Sequence, residues 1–338
     1  MCETDLIHQG MKRLNNLFDK ICCIDNLQLA DQKARKGKKQ QYGVKLHDEN
    51  REQNILNLHE LLRSQQYQTS AYTTFKIYEP KERLVFRLPY YPDRITHHAI
   101  LNILEPLFMK WFTADTYSCI KGKGIHGAFN AVKRALKDEA NTTYCLKFDI
   151  RKFYPNINHV VLKHLLRRKI KDARLLQLLD EIIDSADGLP IGNYLSQYFA
   201  NFYLTWFDHW IKENKKIKYY FRYADDVVIL SADKESLHAL LQEIISYMRE
   251  ELRLELKSNY QVFPVEARGI DFVGYRFYHT HILLRKTIKQ NFARMLARRK
   301  NKASIASYNG WMVHCNSINL KRKLLNENIQ SVEYSRTG

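Results

Sequence analysis

The chain has 338 residues, enough to bury an enzyme-sized core and too many for one small module. Its 54 Lys and Arg against 36 Asp and Glu leave a formal net charge of +18, which favours a polyanionic partner, nucleic acid first among them. Six cysteines without a CxxC pair argue against a disulfide framework or a thiolate zinc site, and no apolar run approaches the roughly eighteen residues of a membrane span. Reduced thiols and a soluble protein without a membrane partner are expected.

In chain order, the first 65 or so residues predict polar helices, with Leu6, Leu14, Leu17 and Phe18 on one apolar stripe and Ile55, Leu58, Leu61 and Leu62 on another. The basic run Lys33 to Lys39 between them reads either as a solvated loop or as an RNA-contacting arm. Tyr72 to Leu88 predicts two strands, with Glu79-Pro80-Lys81-Glu82 as their turn and Arg83 and Arg87 on one strand face. A helix follows from Asp93 as N-cap. The segment Lys121 to Gly127 is glycine-rich and basic, yet no Gly-Lys-Ser/Thr closes it, so NTPase chemistry is not indicated.

Cys145 to Ile150 predicts a short buried strand ending on Asp149, after which Asn156 or Asn158 caps a helix through Leu166. A second helix spans Asp172 to Ser185, Asp187-Gly188-Leu189-Pro190 breaks the pattern, and a third runs from Asn193 to Trp210. Tyr219 to Leu230 reads as strand, tight turn at Ala224-Asp225-Asp226, strand. A helix from Lys234 to Leu252, glycine-punctuated strands to Leu284 and a basic helical tail complete an α+β chain. His279 and His281 have no Cys or carboxylate completing a ligand set and read as structural.

Asp149 at a strand end and Asp225-Asp226 in a turn are far apart in sequence, and both sites are bracketed by apolar strands. If they converge on one sheet face, the three charges repel unless cations fill the gap. Phosphoryl transfer onto a hydroxyl asks for two hard cations, one at the attacking oxygen and one at the leaving pyrophosphate, and carboxylates are the ligands that hold them. Ordinary turn and capping roles are the alternatives for these aspartates.

The ordered segments resemble the reverse transcriptases. Phe148-Asp-Ile-Arg-Lys-Phe-Tyr154-Pro is similar to their first catalytic motif, Arg222-Tyr-Ala-Asp-Asp-Val-Val228 to their Tyr-x-Asp-Asp hairpin, and Gly188 through Asn201 to the motif between. Arg83 to Ile100, Glu255-Leu-Lys257 and Ile270 to Tyr275 resemble the flanking motifs, so the likeness covers about residues 65 to 320. It implies a right-hand polymerase fold: a helical basic extension over 1–65, fingers over 66–144, a palm over 145–284 with a helical insertion near 160–190, and a short helical thumb over 285–338. It also implies a catalytic triad of Asp149, Asp225 and Asp226 holding two Mg2+ ions, Mn2+ being the alternative, with the Ile150 backbone as a further metal contact. Arg83, with Arg87 as second choice, would grip the triphosphate, and Lys257 would lie near it; Ile191, Gly192 and Gln197 would touch template and nucleotide. Tyr154 would pack beneath the sugar and exclude a 2′-hydroxyl, while Phe272, Val273, Gly274 and Tyr275 would form the primer grip.

Many reverse transcriptases have Gln-Gly and then Ser-Pro where this chain has Ile191-Gly192 and then Ser196-Gln197. That departure resembles the enzymes of diversity-generating retroelements, as do Gly310-Trp311, His314-Cys-Asn316 and Asn319-Leu320. This group implies a cytoplasmic, bacterial or phage-encoded RNA-directed DNA polymerase, acting by mutagenic retrohoming. Template RNA, a cDNA primer, dNTPs, an accessory variability protein and a structured retroelement RNA are the implied partners, with errors directed to adenine. The stretch from 281 to 338 leaves no room for a ribonuclease H or endonuclease domain. A defence-associated or group II intron-like reverse transcriptase, and a maturase-like RNA-binding scaffold with an idle site, are the alternatives; an RNA-dependent RNA polymerase fits less well because of Tyr154.

Overall fold

The computed structural model describes residues 13–78, 82–298 and 301–324. Cys2, Leu6, the Glu79-Pro80-Lys81 part of the expected turn, Arg299 and Lys300 of a basic run, and residues 325–338 lie outside them. Helices α1 (Phe18–Cys22), α2 (Ile24–Ala34), α3 (Tyr42–Glu49) and α4 (Arg51–Arg63) come first, followed by an antiparallel ribbon of β1 (Thr73–Ile77) and β2 (Arg83–Arg87). Helix α5 (Ile95–Trp111) starts two residues after the expected cap. Asp93 does not cap it, because its buried carboxylate accepts instead from the Tyr67 hydroxyl at 2.8 Å and the Ser70 N–H at 3.0 Å.

After α6 (Gly124–Ala135) and β3 (Tyr144–Asp149) come α7 (Phe153–Asn156), α8 (His159–Lys169) and α9 (Ala173–Asp184). Of the two candidate caps, Asn158 serves α8, accepting from the Val161 N–H at 3.2 Å, and Asp172 caps α9 through Leu175. The single helix expected from Asn193 to Trp210 is divided at Leu204 into α10 (Tyr194–Tyr203) and α11 (Thr205–His209). Then follow β4 (Tyr219–Tyr223), β5 (Asp226–Ser231), α12 (Lys234–Glu250), β6 (Gln261–Pro264), α13 (Val265–Arg268), β7 (Ile270–Phe272), β8 (Tyr275–Phe277), β9 (Ile282–Leu284), α14 (Lys286–Arg298) and α15 (Lys302–Met312). The fold is α+β with antiparallel sheets, and no helix among the described residues is long and apolar enough to cross a membrane.

Two compact units emerge. One comprises Met1–Ala114, Ile150–Trp210 and Ser246–Glu255, the other Asp115–Asp149, Ile211–Ile245 and Leu256–Gly338. In the first, the aromatic side chains of α5 and α10 interlock, Phe108 lying 5.2 Å from Phe202 and 6.0 Å from Tyr198 between ring centroids. In the second, a four-stranded sheet ordered β4-β5-β3-β6 and a three-stranded sheet β7-β8-β9 share a core with α6, where Phe129, Phe272, Tyr275 and Phe277 are buried.

In the first unit, the Ile191-Gly192 turn lies directly on β2. The Phe86 N–H donates to the Ile191 carbonyl at 2.8 Å, and a Cβ placed on Gly192, at φ +117, would stand 2.4 Å from the Phe86 carbonyl oxygen. Both the conformation and the space exclude a side chain, so Gly192→Ala is expected to destabilise the protein by about 2 kcal/mol or more. A thermal melt checks this, and an unchanged Tm would contradict it.

Candidate active site

Alternation along β3 determines which side chains reach the site. Cys145, Leu146 and Phe148 are buried, whereas Lys147 and Asp149, two apart, are part-exposed on one face. β5 pairs antiparallel with β3 so that Asp226 is the register partner of Asp149, which makes the two carboxylates cross-strand neighbours. β4 and β5 are joined by a two-residue turn, Ala224-Asp225, with Tyr223 opposite Asp226. Ala224 holds φ +55, the left-handed region that primed hairpin turns demand and that costs a non-glycine residue roughly 1 kcal/mol. The fully buried Arg222 supports this turn, donating from Nη1 to the Ala224 carbonyl at 3.1 Å.

The three carboxylates thus gather at one end of one sheet, with side chains 27%, 36% and 22% exposed for Asp149, Asp225 and Asp226. Two ammonium groups accompany them. Lys257 Nζ lies 3.3 Å from Asp149 Oδ1 and 3.8 Å from Asp225 Oδ2, and its N–H donates to the Asp149 carbonyl at 2.8 Å. Lys147, which the sequence reading passed over, pairs with Asp226. Its position two residues before Asp149 on a strand was the signal that could have found it. Burial pushes the Asp226 carboxyl up to about 6; the adjacent Lys147 pulls it down, and the charges of Asp149 and Asp225 raise it further.

Among the described residues, no three His, Cys, Asp or Glu side chains are closely enough grouped to chelate a metal ion as they stand. The donor set nevertheless fits hard divalent cations. Its ligands are all carboxylate oxygens, two of them share one ammonium, and the third is its neighbour's partner across the strand pair. A cleft of about 190 Å³ opens beside Lys147 and Asp149, lined also by Gln261 and Arg276.

The remaining candidates fall into separate groups. Phe272, Val273, Gly274 and Tyr275 are in the same unit as the aspartates, and all four are buried. Val273 at φ +42 and Gly274 at φ +91 make the turn between β7 and β8, Trp311 covers Gly274, and the Tyr275 hydroxyl donates to the Trp311 carbonyl at 3.0 Å. Their side chains pack within the core of this unit. Ile150, whose side chain is buried, follows Asp149 directly and opens a segment of the other unit.

Arg83, Arg87, Tyr154, Ile191, Gly192 and Gln197 belong to that other unit. There, β2 carries the exposed Arg83 and Arg87 and is joined to Ile191-Gly192 as described above. Tyr154 is half-buried on α7; its carbonyl accepts from the Leu189 N–H at 2.8 Å, and a Cβ on Gly188 would stand 2.4 Å from the Pro155 carbonyl oxygen. Gln197 is half-buried on α10.

The chain is similar to several known proteins. The chain is 25% identical to protein YkfC of Escherichia coli (strain K12) over 249 residues, covering 60% of this chain and 65% of that protein. It is 28% identical to the retron Ec73 reverse transcriptase of Escherichia coli over 191 residues, 51% of this chain and 58% of that one. It is 26% identical to the group II intron-encoded protein LtrA of Lactococcus lactis subsp. cremoris over 139 residues, 38% of this chain and 23% of that one. The chain thus spans less than two thirds of the length of each. The family model described as reverse transcriptase (RNA-dependent DNA polymerase) matches residues 79–277. That segment exceeds half of the sequence and contains all three aspartates, and the chain belongs to the reverse transcriptase family.

Proposed function

We propose that this chain is an RNA-directed DNA polymerase of right-hand architecture, with Asp149, Asp225 and Asp226 holding two divalent cations, Mg2+ by preference. The observation that carries this reading is the register pairing of Asp149 with Asp226 beside the Ala224-Asp225 turn. When bound, the cations lower the charge cost of attack by a primer 3′-hydroxyl and departure of pyrophosphate. The chain's own residues do the positioning. The β3–β5 pairing fixes the spacing of two carboxylates, Arg222 holds the turn that presents the third, and Lys257 offers its ammonium to Asp149 and Asp225. Arg83 is assigned to the triphosphate, Tyr154 to the deoxyribose and the carbonyl of Ile150 to a metal contact, within the fingers, palm and thumb ranges expected from the sequence. Primer extension on an RNA template with dNTPs tests the reading, and no extension under any divalent ion would overturn it.

Cation binding requires Asp226 ionised, so affinity for Mg2+ or Mn2+ is expected to fall as pH drops through about 6. The folded-state value lies above the ordinary 3.8, so in metal-free protein this group's contribution to folding stability is lost as pH rises from 3.8 to about 6. Titration of Mn2+ binding between pH 5 and pH 8, on the order of one unit either side of that value and of neutrality, checks the first statement. An affinity flat across the range would contradict it.

Within this activity, Ile191-Gly192 and Ser196-Gln197 support a diversity-generating role, in which a template-repeat RNA is copied with adenine-directed errors alongside an accessory variability protein and a structured RNA, in a bacterial or phage-infected cytoplasm. Ile191 replaces an amide capable of hydrogen bonding, and its carbonyl is already engaged by Phe86, so this position offers the nucleotide region only an apolar side chain. Ile191→Gln is expected to lower misincorporation opposite adenine several-fold, about the discrimination one polar contact supplies. Product sequencing reads this, and an unchanged spectrum would refute it. The likeness to LtrA and the retron enzyme favours a second reading, a group II intron-like or retron-like reverse transcriptase. A template and variable repeat differing at adenines beside the gene would favour diversification.

A further inference from the structure

Lys147 is a cation at the margin of an apolar core. On the face of β3 that carries Asp149 it follows Cys145, which is buried in one core with Val228, Phe263 and Phe272. Its register partners are Val228 on β5 and Gln261 on β6. The Lys147 Nζ lies 5.6 Å from the centre of the Phe272 ring, and the same ammonium pairs with Asp226. Only 20% of the Lys147 side chain and 22% of the Asp226 side chain are exposed.

Packing alone does not call for a charge there. A Met side chain fills similar space over Phe272, and an ion pair drawn this far out of water costs about as much to desolvate as its attraction returns. The three carboxylates do call for one. Asp149 and Asp225 push the Asp226 carboxyl up, and Lys147 opposes them. Lys257 attends the other two at 3.3 and 3.8 Å with 35% of its side chain exposed, a looser and wetter arrangement. The two ammonium groups thus offset most of the carboxylate charge in the metal-free chain, and the more buried of them is on Asp226. A second seat for that ammonium adjoins the first. The cleft beside Lys147 and Asp149 is lined by Asn259 and by Gln261, directly opposite Lys147 on β6, and both amides carry an oxygen that accepts from an ammonium.

We propose that Lys147 is an internal competitor for the divalent cation at Asp226: its ammonium holds that carboxylate in the metal-free chain, yields it by turning into the cleft beside Gln261, and so sets the metal concentration that the site requires. The inference rests on the reading of the three aspartates as metal ligands. Lys147 acts through Asp226 and is a positioning residue. The consequence is a site that holds metal weakly until primer and nucleotide add oxygens of their own.

The test is Mn2+ binding to the full chain without nucleic acid, read from the electron paramagnetic resonance of free Mn2+ at about pH 8, above the Asp226 value, so that a proton does not replace the lost ammonium. Lys147→Met, which keeps the stem over Phe272, is expected to lower the Kd for Mn2+ about 10-fold, whereas Lys147→Arg, which keeps the charge, is expected to bind no more tightly than the wild type. In chelator, Lys147→Met is expected to melt below the wild type and to recover more of its Tm when Mn2+ is added. Should Lys147→Met fail to fold, Lys147→Gln carries the same expectation. The Mn2+ concentration for half-maximal primer extension is expected to fall in parallel. A lysine with only a packing role would leave Mn2+ affinity unchanged or weakened in the neutral variants; that result, in a chain whose wild type extends a primer, overturns this proposal alone. A wild-type chain that neither binds Mn2+ nor extends a primer would instead sink the polymerase reading beneath it.

Discussion

Asp225→Asn is expected to reduce nucleotide addition by ~10³-fold or more while leaving the fold and RNA binding intact, because several kcal/mol of metal-borne charge stabilisation disappears with one ligand charge. Asp225 sits in a hairpin turn at 36% exposure, so the amide costs little in packing. Its neighbours predict graded consequences. Asp149→Asn removes the charge facing Lys257 and the register partner of Asp226, and is expected to be as severe. Asp226→Asn also leaves the part-buried Lys147 without its carboxylate and is expected to lower the Tm as well as activity. Single-turnover extension rates beside thermal melts separate the two effects. Unchanged nucleotide addition in Asp225→Asn would contradict its place in the triad, whereas biological function retained without any nucleotide addition would favour an RNA-binding scaffold.

Tyr154→Val is expected to raise ribonucleotide use relative to deoxynucleotide use by ~10²-fold, the scale on which a pocket's shape discriminates one hydroxyl. The backbone beneath the ring cannot move to fill the space, because the Leu189 N–H bonds the Tyr154 carbonyl and Gly188 lies against Pro155. Phe153, whose ring centroid is 5.6 Å from that of Tyr154, is buried and keeps α7 anchored in the variant. The ratio of kcat/KM for each nucleotide pair measures the effect. An unchanged ratio would mean that Tyr154 is only a packing group.

The sequence made the strand pair and its turn legible because strong local signals agree there: apolar runs of β-branched and aromatic residues flank two aspartates in a turn. Asp149 was legible as a strand-end carboxylate, but its register against Asp226 was not, since pairing is a long-range property. Lys147 was missed because a cation inside an apolar strand reads as an interruption until the neighbouring strand supplies its carboxylate. Asp93 misled because the same side chain that caps helices also serves buried donors, and the choice between these roles depends on Tyr67, 26 residues away. The packing of Phe272 to Tyr275 was not legible either. Trp311, brought over the turn by α15, covers Gly274 and packs on Tyr275 from 36 residues away, a long-range contact.

The polymerase reading depends on whether Asp149, Asp225 and Asp226 bind divalent ions together. Anomalous diffraction from crystals of the chain grown with primer, RNA template and a non-reactive dNTP analogue in Mn2+ measures this directly. The expected result is Mn2+ density within bonding reach of all three carboxylates, with Lys257 and Lys147 displaced from them. Density bound elsewhere, or carboxylates still held by the two lysines with no ion among them, would contradict the assignment.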